Sequence, residues 1–337
     1  MKILITGGAG FIGSYLGIYL VQKKHDVVFL DNLSFGYLEN LSSQNFSEQK
    51  LHFIKMDIRD AQVNRVLKDT DVVIHLAGIS SLPECQRNPA DAYAVNVSGT
   101  LNILEAARYN NVKRVIFSST SAIYENEKVF PLRETTLCQP TLMYSLSKKH
   151  AEEVCRSYQK LYGMDIVILR FFNTYGPHMD FRRPNPPLIS YIIQCLLNKE
   201  TPILHSDGQQ ARDIIYVDDV IALCEMALTN KKVKNQIFNV GSGKTYTIQE
   251  IYNAVAKTFG LTDIKPIYRT SKLLWDKYPQ LFEGEYSFQA KFLEKEVNKY
   301  TLASIAKAQK FLGWKPKVSL EEGIIKTIEW YRSYLIQ

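Results

Sequence analysis

The chain opens MKILITGGAGFIGSYLGIYLVQKKHDVVFLDN, Met1 to Asn32, and this stretch decides the fold. Lys2 to Thr6 is a short apolar strand. Gly7, Gly8, Gly10 and Gly13 follow, then a helical pattern, then a second strand from Val27 to Leu30. Strand, glycine turn, helix and strand in this order make a βαβ unit. Gly7-Gly8-Ala9-Gly10-Phe11-Ile12-Gly13 spells GxxGxxG between the first strand and the helix. Such glycines let the backbone turn tightly and approach a pyrophosphate, while the helix N-terminus offers free N–H groups and a positive dipole end. A structural tight turn is the plainer alternative, but the strand and helix on either side supply the context that a phosphate loop needs.

The alternation continues outward. Strands are predicted at Leu51–Lys55, Val72–Leu76, Arg114–Ser118 and Ile166–Arg170, and helices at Ala61–Leu67, Ala90–Tyr109 and Leu146–Tyr162. The expected fold is α/β, a Rossmann-type doubly wound parallel sheet with helices on both faces. Residues 1–175 form this dinucleotide-binding domain, and 214–240 return to it through Ile214–Val217 and Ile237–Val240. Residues 176–213 and 241–337 form a smaller C-terminal α/β lobe for the substrate. YGPHMDFRRPNPP, rich in Pro and charge, reads as a loop, and Lys272 to Lys299 shows no clean period.

Bulk composition narrows the function. The 337 residues are 46% apolar and 22% charged, as in an ordinary folded enzyme, so disordered and fibrous classes drop out. A net charge of +7 is carried by scattered residues with no basic stripe, so no nucleic-acid partner is expected. Five cysteines without a pattern suit a reducing compartment. No apolar run is long enough to span a membrane, and glycines interrupt the apolar N-terminus. A cytoplasmic location is expected. Six histidines without HxH or HExxH spacing give no metal site, and His75 reads as a packed or hydrogen-bonded core residue.

Asp31 ends the second strand, eighteen residues after Gly13. A carboxylate there accepts the adenine-ribose hydroxyls and repels a 2′-phosphate, which favours NAD over NADP. Its alternative role is to cap the following turn. Tyr144-Ser145-Leu146-Ser147-Lys148 has YxxxK spacing at a helix start, so Tyr144 and Lys148 share a face. The ammonium favours the phenolate and tunes Tyr144 toward proton transfer at neutral pH. Alone, such a pair is an ordinary surface pair.

The motifs GGAGFIG, DNLS, HLAG from His75, NVSGTLNILEAA from Asn96, SSTSAIY from Ser118, YSLSK, RFFNTYGP and RDIIYVDD run the length of the chain. Together they resemble the extended short-chain dehydrogenases/reductases, in the group of NAD-dependent nucleotide-sugar epimerases and dehydratases. The resemblance implies catalysis by Thr120, Tyr144 and Lys148. It implies an NAD site at Gly7, Gly10, Phe11, Ile12, Gly13, Asp31, Asn32, Asp57, Ile58, Leu76, Ala77, Gly78, Asn96, Ser118 and Phe171, together with Tyr144 and Lys148. It implies a nucleotide-diphosphate sugar held by Thr120, Asn173, Leu188 and Arg212, with Tyr191 near the base. For Arg212, a salt bridge to Asp213 or Asp218 is the structural alternative.

The hydroxyl row carries the prediction of reaction. Dehydratases of this group have Thr-Asp-Glu where this chain has Thr120-Ser121-Ala122, and related decarboxylases keep the final acid. Ala122 cannot transfer a proton. Epimerisation at C4 needs only reversible hydride transfer and a ketone that turns over. A 4-epimerase of UDP-hexose type, UDP-N-acetylhexosamine included, is therefore expected. A 4-ketoreductase, dehydrogenase or dehydratase of the same group, or a non-catalytic NAD sensor, are the alternatives. The family's second diphosphate arginine has no counterpart before ASIAKAQKFLGWKP, so Lys291, Lys295 or Lys299 is expected to replace it. The resemblance further implies a homodimer in which helices Ala90–Tyr109 and Leu146–Tyr162 pair into a four-helix bundle. The stripe Ala151, Val154, Cys155, Tyr158, Leu161 and Tyr162 suits that pairing, or core packing within one subunit.

Overall fold

The structure, a computed structural model, describes residues 1–42, 51–269, 275–292, 295 and 299–335. Seven strands form one sheet: β1 (Lys2–Thr6), β2 (Asp26–Asp31), β3 (His52–Lys55), β4 (Val72–His75), β5 (Arg114–Thr120), β6 (Ile166–Phe171) and β7 (Ile237–Val240). Their order is 3-2-1-4-5-6-7, and every pairing is parallel. The chain starts at the centre, winds out to β3 and returns to β4 beside β1. The strand order therefore reverses between β1 and β4, and a crevice opens there at the carboxyl ends.

Burial on both faces explains the apolar runs of the inner strands, whereas the edge strand β3 is exposed or half-buried throughout. Ile3 and Ile5 of β1 join Leu16, Leu20 and Phe29 on one face, while Leu4 joins Ile103, Leu104, Phe117 and Ala151 on the other. Successive side chains point to opposite faces, so one strand feeds two cores.

The predicted Ala90–Tyr109 helix is observed as three segments: Pro89–Tyr93, a π-helical turn at Ala94–Gly99, and Thr100–Tyr109. The extra residue in the turn directs Asn96 toward the crevice wall, a use typical of π turns. The Ala61–Leu67 helix shrinks to Val63–Val66, and the Tyr144 helix begins three residues early, spanning Met143–Tyr162.

The two returning segments differ. Ile237–Val240 joins the sheet beside β6. Ile214–Tyr216 instead pairs with Asn173–Tyr175 in a separate two-stranded ladder, and the helix Val217–Thr229 then runs back to the sheet. Arg114 ties that helix down by donating to Ala227 O at 2.7 Å while its other nitrogens reach Asp165 Oδ2.

Asp213, fully buried, gathers distant segments of the second lobe. Its carboxylate accepts from Ser242 N at 2.7 Å, Gly243 N at 3.0 Å and Ala303 N at 2.9 Å. Each charge-assisted bond fixes a loop with no regular structure of its own.

The Met143–Tyr162 stripe divides in two. Ala151, Cys155 and Tyr158 are buried in the core, whereas Leu161 and Tyr162 are exposed beside the exposed Tyr109. Within Lys272–Lys299 the described residues include Trp275, which is buried, and short turns at Pro279–Phe282 and Ala290–Phe292. Within that stretch, 272–274, 293–294 and 296–298 lie outside the described residues. Among the described residues no helix is long and apolar enough to cross a membrane.

Candidate active site

The carboxyl ends of the central strands open into a cleft of about 860 Å³. At one end is the glycine loop. Gly7 has φ +69°, and a Cβ there would lie 2.8 Å from Ala77 N. A Cβ on Gly13 would lie 2.0 Å from Gly7 O, so only glycine permits this closely folded cradle. The helix Phe11–Gln22 starts from it with no side-chain cap, and Phe11, Ile12 and Gly13 line the cleft. An uncapped helix start beside a glycine cradle suits an anionic pyrophosphate.

Asp31 and Asn32 stand at the end of β2 on the cleft wall. Asp31 Oδ2 accepts from Ala9 N at 3.1 Å and Oδ1 from Leu33 N at 2.8 Å, and burial pushes its carboxyl up. Asp31 thus caps its turn, and it keeps acceptor capacity for ribose hydroxyls. Asp57 and Ile58 lie nearby. Asp57 accepts from Asn32 Nδ2 at 2.9 Å and from the Arg59 side chain, which holds its carboxyl down at about 2. Arg59, absent from the predicted set, lines the cleft but is engaged by Asp57 and Asp91.

Leu76, Ala77 and Gly78 follow β4 and form the floor. Behind them His75 is buried between Thr6 Oγ1 at 2.6 Å and Thr100 Oγ1 at 3.0 Å. Thr100 gives its proton to Asn96 O at 2.7 Å, so His75 Nε2 must donate and Nδ1 accept from Thr6. Burial pulls the imidazole down to about 3, which keeps this tautomer neutral. Of the predicted cleft residues, Asn96 alone is absent from the lining. Its Oδ1 accepts from Ile79 N at 2.8 Å, and Nδ2 donates to Ile79 O and Ser147 Oγ, both at 3.0 Å. It pins the floor loop to the Tyr144 helix.

Tyr144 and Lys148 face the cleft one turn apart, opposite Ser118, Ser119 and Thr120 at the end of β5. Lys148 is buried with Nζ 4.3 Å from the Phe117 ring centroid. Burial pulls its ammonium down to about 8, and the aromatic face repays part of the lost hydration. Thr120 Oγ1 accepts from Ala122 N at 3.1 Å, which opens the turn Ser121–Tyr124. Thr120 thus holds the backbone of the turn that follows it, and its hydroxyl proton remains for the cleft. Ser119 Oγ, on the same wall, is buried with no hydrogen-bond partner. An orphaned hydroxyl on the cleft wall fits a ligand that supplies its partner.

The substrate end is built from scattered segments. Asn173, Leu188, Tyr191 and Arg212 line it, and Phe171, expected in the NAD site, lines the cleft at the end of β6. Asn173 Nδ2 donates to Asp213 O at 3.4 Å, and Tyr191 Oη accepts from Ile203 N at 2.9 Å. Asp213 and Asp218 have other partners: Asp213 holds its loops, and Asp218 takes Tyr15 Oη at 2.8 Å and Lys326 at 3.7 Å. Among the lysines named for the missing arginine, Lys299 lines the cleft, Lys295 bonds Asn126 and Thr141, and Lys291 lies 5.1 Å from the Phe292 ring. The cleft adds two further cations, Arg183 and Lys277. Arg183 comes from the Pro-rich RRPNPP loop, whose charge density was its only signal in the sequence.

Sheet order, glycine cradle and the Tyr144–Lys148 pair define a dinucleotide-dependent enzyme of the short-chain dehydrogenase/reductase type. The family model for GDP-mannose 4,6-dehydratase matches residues 4–327. A UDP-glucose 4-epimerase of Mycolicibacterium smegmatis is 32% identical over 336 residues, covering 99% of each chain. The UDP-glucose 4-epimerase of Thermotoga maritima, solved with UDP-glucose, superposes with a TM-score of 0.86 at 32% identity, covering 99% of this chain and 100% of that one. The UDP-glucuronic acid 4-epimerase of Bacillus cereus, solved with UDP-glucuronic acid and NAD, gives 0.82 at 28% identity, with the same coverage. The chain belongs to this family of NAD-dependent nucleotide-sugar epimerases and dehydratases.

Proposed function

We propose that the protein is an NAD-dependent 4-epimerase of a UDP-linked hexose, UDP-N-acetylhexosamines included. One observation carries the choice of reaction. Thr120 is followed by Ser121 and Ala122, and the nearest downstream carboxylate, Glu125, is buried in hydrogen bonds to the start of the Tyr144 helix. The acid and base that a 4,6-dehydratase needs beside its threonine are missing, and a 4-epimerase needs neither. The closest rival is a 4-ketoreductase that exchanges free cofactor.

The glycine cradle and Asp31 would hold NAD, which would supply the hydride acceptor for the C4–H bond and the donor for its return to the opposite face of the ring. Tyr144 Oη takes the O4 proton as that C–H bond breaks, and gives it back when the ketone is reduced. Lys148 favours the phenolate by its charge. Thr120 donates to O4 and holds it against Tyr144. Arg212, Lys299 and Asn173 hold the diphosphate, which leaves the hexose free to rotate between the two hydride transfers. Leu188 and Tyr191 flank the base.

The pairing of two subunits through the 89–109 and Met143–Tyr162 helices is part of the same proposal. Tyr109, Leu161 and Tyr162 provide the exposed apolar face that such a bundle covers. A reducing, cytoplasmic setting suits five free cysteines, all buried.

The test is proton NMR of the purified protein with UDP-glucose, UDP-galactose, UDP-GlcNAc, UDP-GalNAc and UDP-glucuronate, each without added cofactor. A new anomeric signal at the C4 epimer in one tube is expected. Turnover only on addition of free NADH to a 4-keto sugar would replace the epimerase with the reductase.

A further inference from the structure

Glu125 is the carboxylate that arrives too late in the hydroxyl row to serve as an acid beside Thr120. Its side chain is 2% exposed. Oε1 accepts from Thr141 N at 2.7 Å and also from Thr141 Oγ1, while Oε2 accepts from Ser145 Oγ at 2.7 Å. Leu142 N reaches both oxygens at 3.2 Å. These donors belong to the start of the Met143–Tyr162 helix, whose own N-cap, Leu142, has no side chain able to cap it. The helix has no acidic residue in its first turn either. Glu125 therefore pins the two residues that lead into the helix, Thr141 and Leu142, together with the Ser145 side chain in its first turn, and sets a carboxylate near the positive dipole end.

The other side of the clasp comes from the C-terminal segment. Lys295 Nζ donates to Asn126 Oδ1 at 2.9 Å and Thr141 Oγ1 at 2.8 Å, and sits 3.7 Å from Glu125 Oε1. Two elements meet here. Thr120 ends β5 and leads through the turn Ser121–Tyr124 directly into Glu125. Tyr144 lies in the helix turn that Glu125 holds. One carboxylate thus ties the strand carrying Thr120 to the helix carrying Tyr144.

We infer that Glu125 is a positioning residue, setting Tyr144 against Thr120 through the helix start, with Lys295 closing the clasp. The inference rests on Tyr144 as the proton acceptor. A misplacement of about 1 Å in such a pair costs about 100-fold in rate. Substrate is gripped elsewhere, at the diphosphate, so the loss falls on kcat and leaves KM in place.

Glu125→Ala, Glu125→Gln, Ser145→Ala, Lys295→Met and Tyr144→Phe are compared as full-length, NAD-loaded proteins on the productive UDP-hexose. Glu125→Ala is expected to lower kcat about 30- to 100-fold, with KM within about threefold and NAD content unchanged. Its amide exchange rises over 141–146 and stays put over 150–162. Glu125→Gln keeps one acceptor oxygen and recovers kcat to within about tenfold of the parent, and Lys295→Met costs about threefold. A parental kcat in Glu125→Ala overturns the inference. So does a joint fall of kcat, NAD content and melting temperature in both Glu125 variants, which marks a merely structural carboxylate. If Glu125→Ala does not fold, Ser145→Ala decides: a fall of about threefold or more in kcat at constant KM supports the clasp, and a parental kcat overturns it. Full activity in Tyr144→Phe removes the reading of the site beneath it. Loss in Tyr144→Phe with a parental Glu125→Ala removes the clasp alone.

Discussion

The two ends of the cleft are made in different ways. The cofactor end is largely backbone: Gly7 at φ +69°, Gly13 pressed against Gly7 O, and Asp31 at the end of β2. These three parts lie within the first thirty-one residues, and their geometry follows from strand ends and glycine dihedrals. The other end is side chains: Asn173, Arg183, Arg212 and Lys299 come from segments up to 126 residues apart, and Asp213, next to Arg212, draws together the loops at Asn173, Ser242 and Ala303. Backbone sites tolerate little change and announce themselves locally. Side-chain sites are replaceable piece by piece, and their members are visible only once the chain has folded.

That contrast sets the expected size of each perturbation. Tyr144→Phe, at the seam between the ends, removes the proposed proton acceptor and should lower kcat by about 10³-fold while NAD stays bound. Bound NAD, read as the 260/280 nm absorbance ratio, accompanies turnover by NMR. Next comes Gly13→Val. The added side chain meets Gly7 O, and about 2–3 kcal/mol of overpacking strain weakens NAD binding by roughly 100-fold, seen as protein purified empty. Retained NAD in that variant would break the claim that the cofactor end is fixed by its backbone.

Arg212→Met should be gentler. Loss of a charge-assisted contact of about 1.5–3 kcal/mol raises KM by about ten- to 100-fold with little change in kcat, and Arg183 and Lys299 soften it. An Arg212→Met enzyme that loses NAD would deny the separation of the two ends. The smallest effect is one of stability. Lys148 carries a buried ammonium whose folded pKa is about 8 against 10.5 when exposed. Between those values the unfolded chain binds more protons, so the stability of the parent rises with pH over about 8 to 10.5. Lys148→Met should therefore melt a few degrees higher than the cofactor-free parent at pH 7, by on the order of 3 kcal/mol at most. The gap closes as pH approaches 10.5. A gap that widens with pH would sink the assignment.

The same contrast explains what the sequence disclosed. Apolar runs bounded by glycine and turn residues located all seven sheet strands, because burial leaves a local mark. The Tyr144–Lys148 face was legible because spacing alone sets it. The π turn at Ala94–Gly99 was not, since the partners its Asn96 bonds, Ile79 and Ser147, lie 17 and 51 residues away. Ile214–Tyr216 looks like a sheet strand and instead pairs with Asn173–Tyr175, a choice made by register between distant segments. Arg183 sat in a loop that was read only as a loop. The task of Glu125 is invisible in the sequence because it depends on Thr141 and Ser145, sixteen and twenty residues away.

The buried Asp213 has a consequence for the order in which the protein is made. Its last donor, Ala303 N, lies ninety residues downstream. A chain folds from its N-terminus as it is synthesised, so the glycine cradle and first six sheet strands exist as nascent chain long before that donor emerges. Arg212 can be locked into place only after residue 303 has left the ribosome. The growing polypeptide is ready for its cofactor well before it is ready for its sugar, and a chain cut short near residue 300 would keep the first readiness and lose the second.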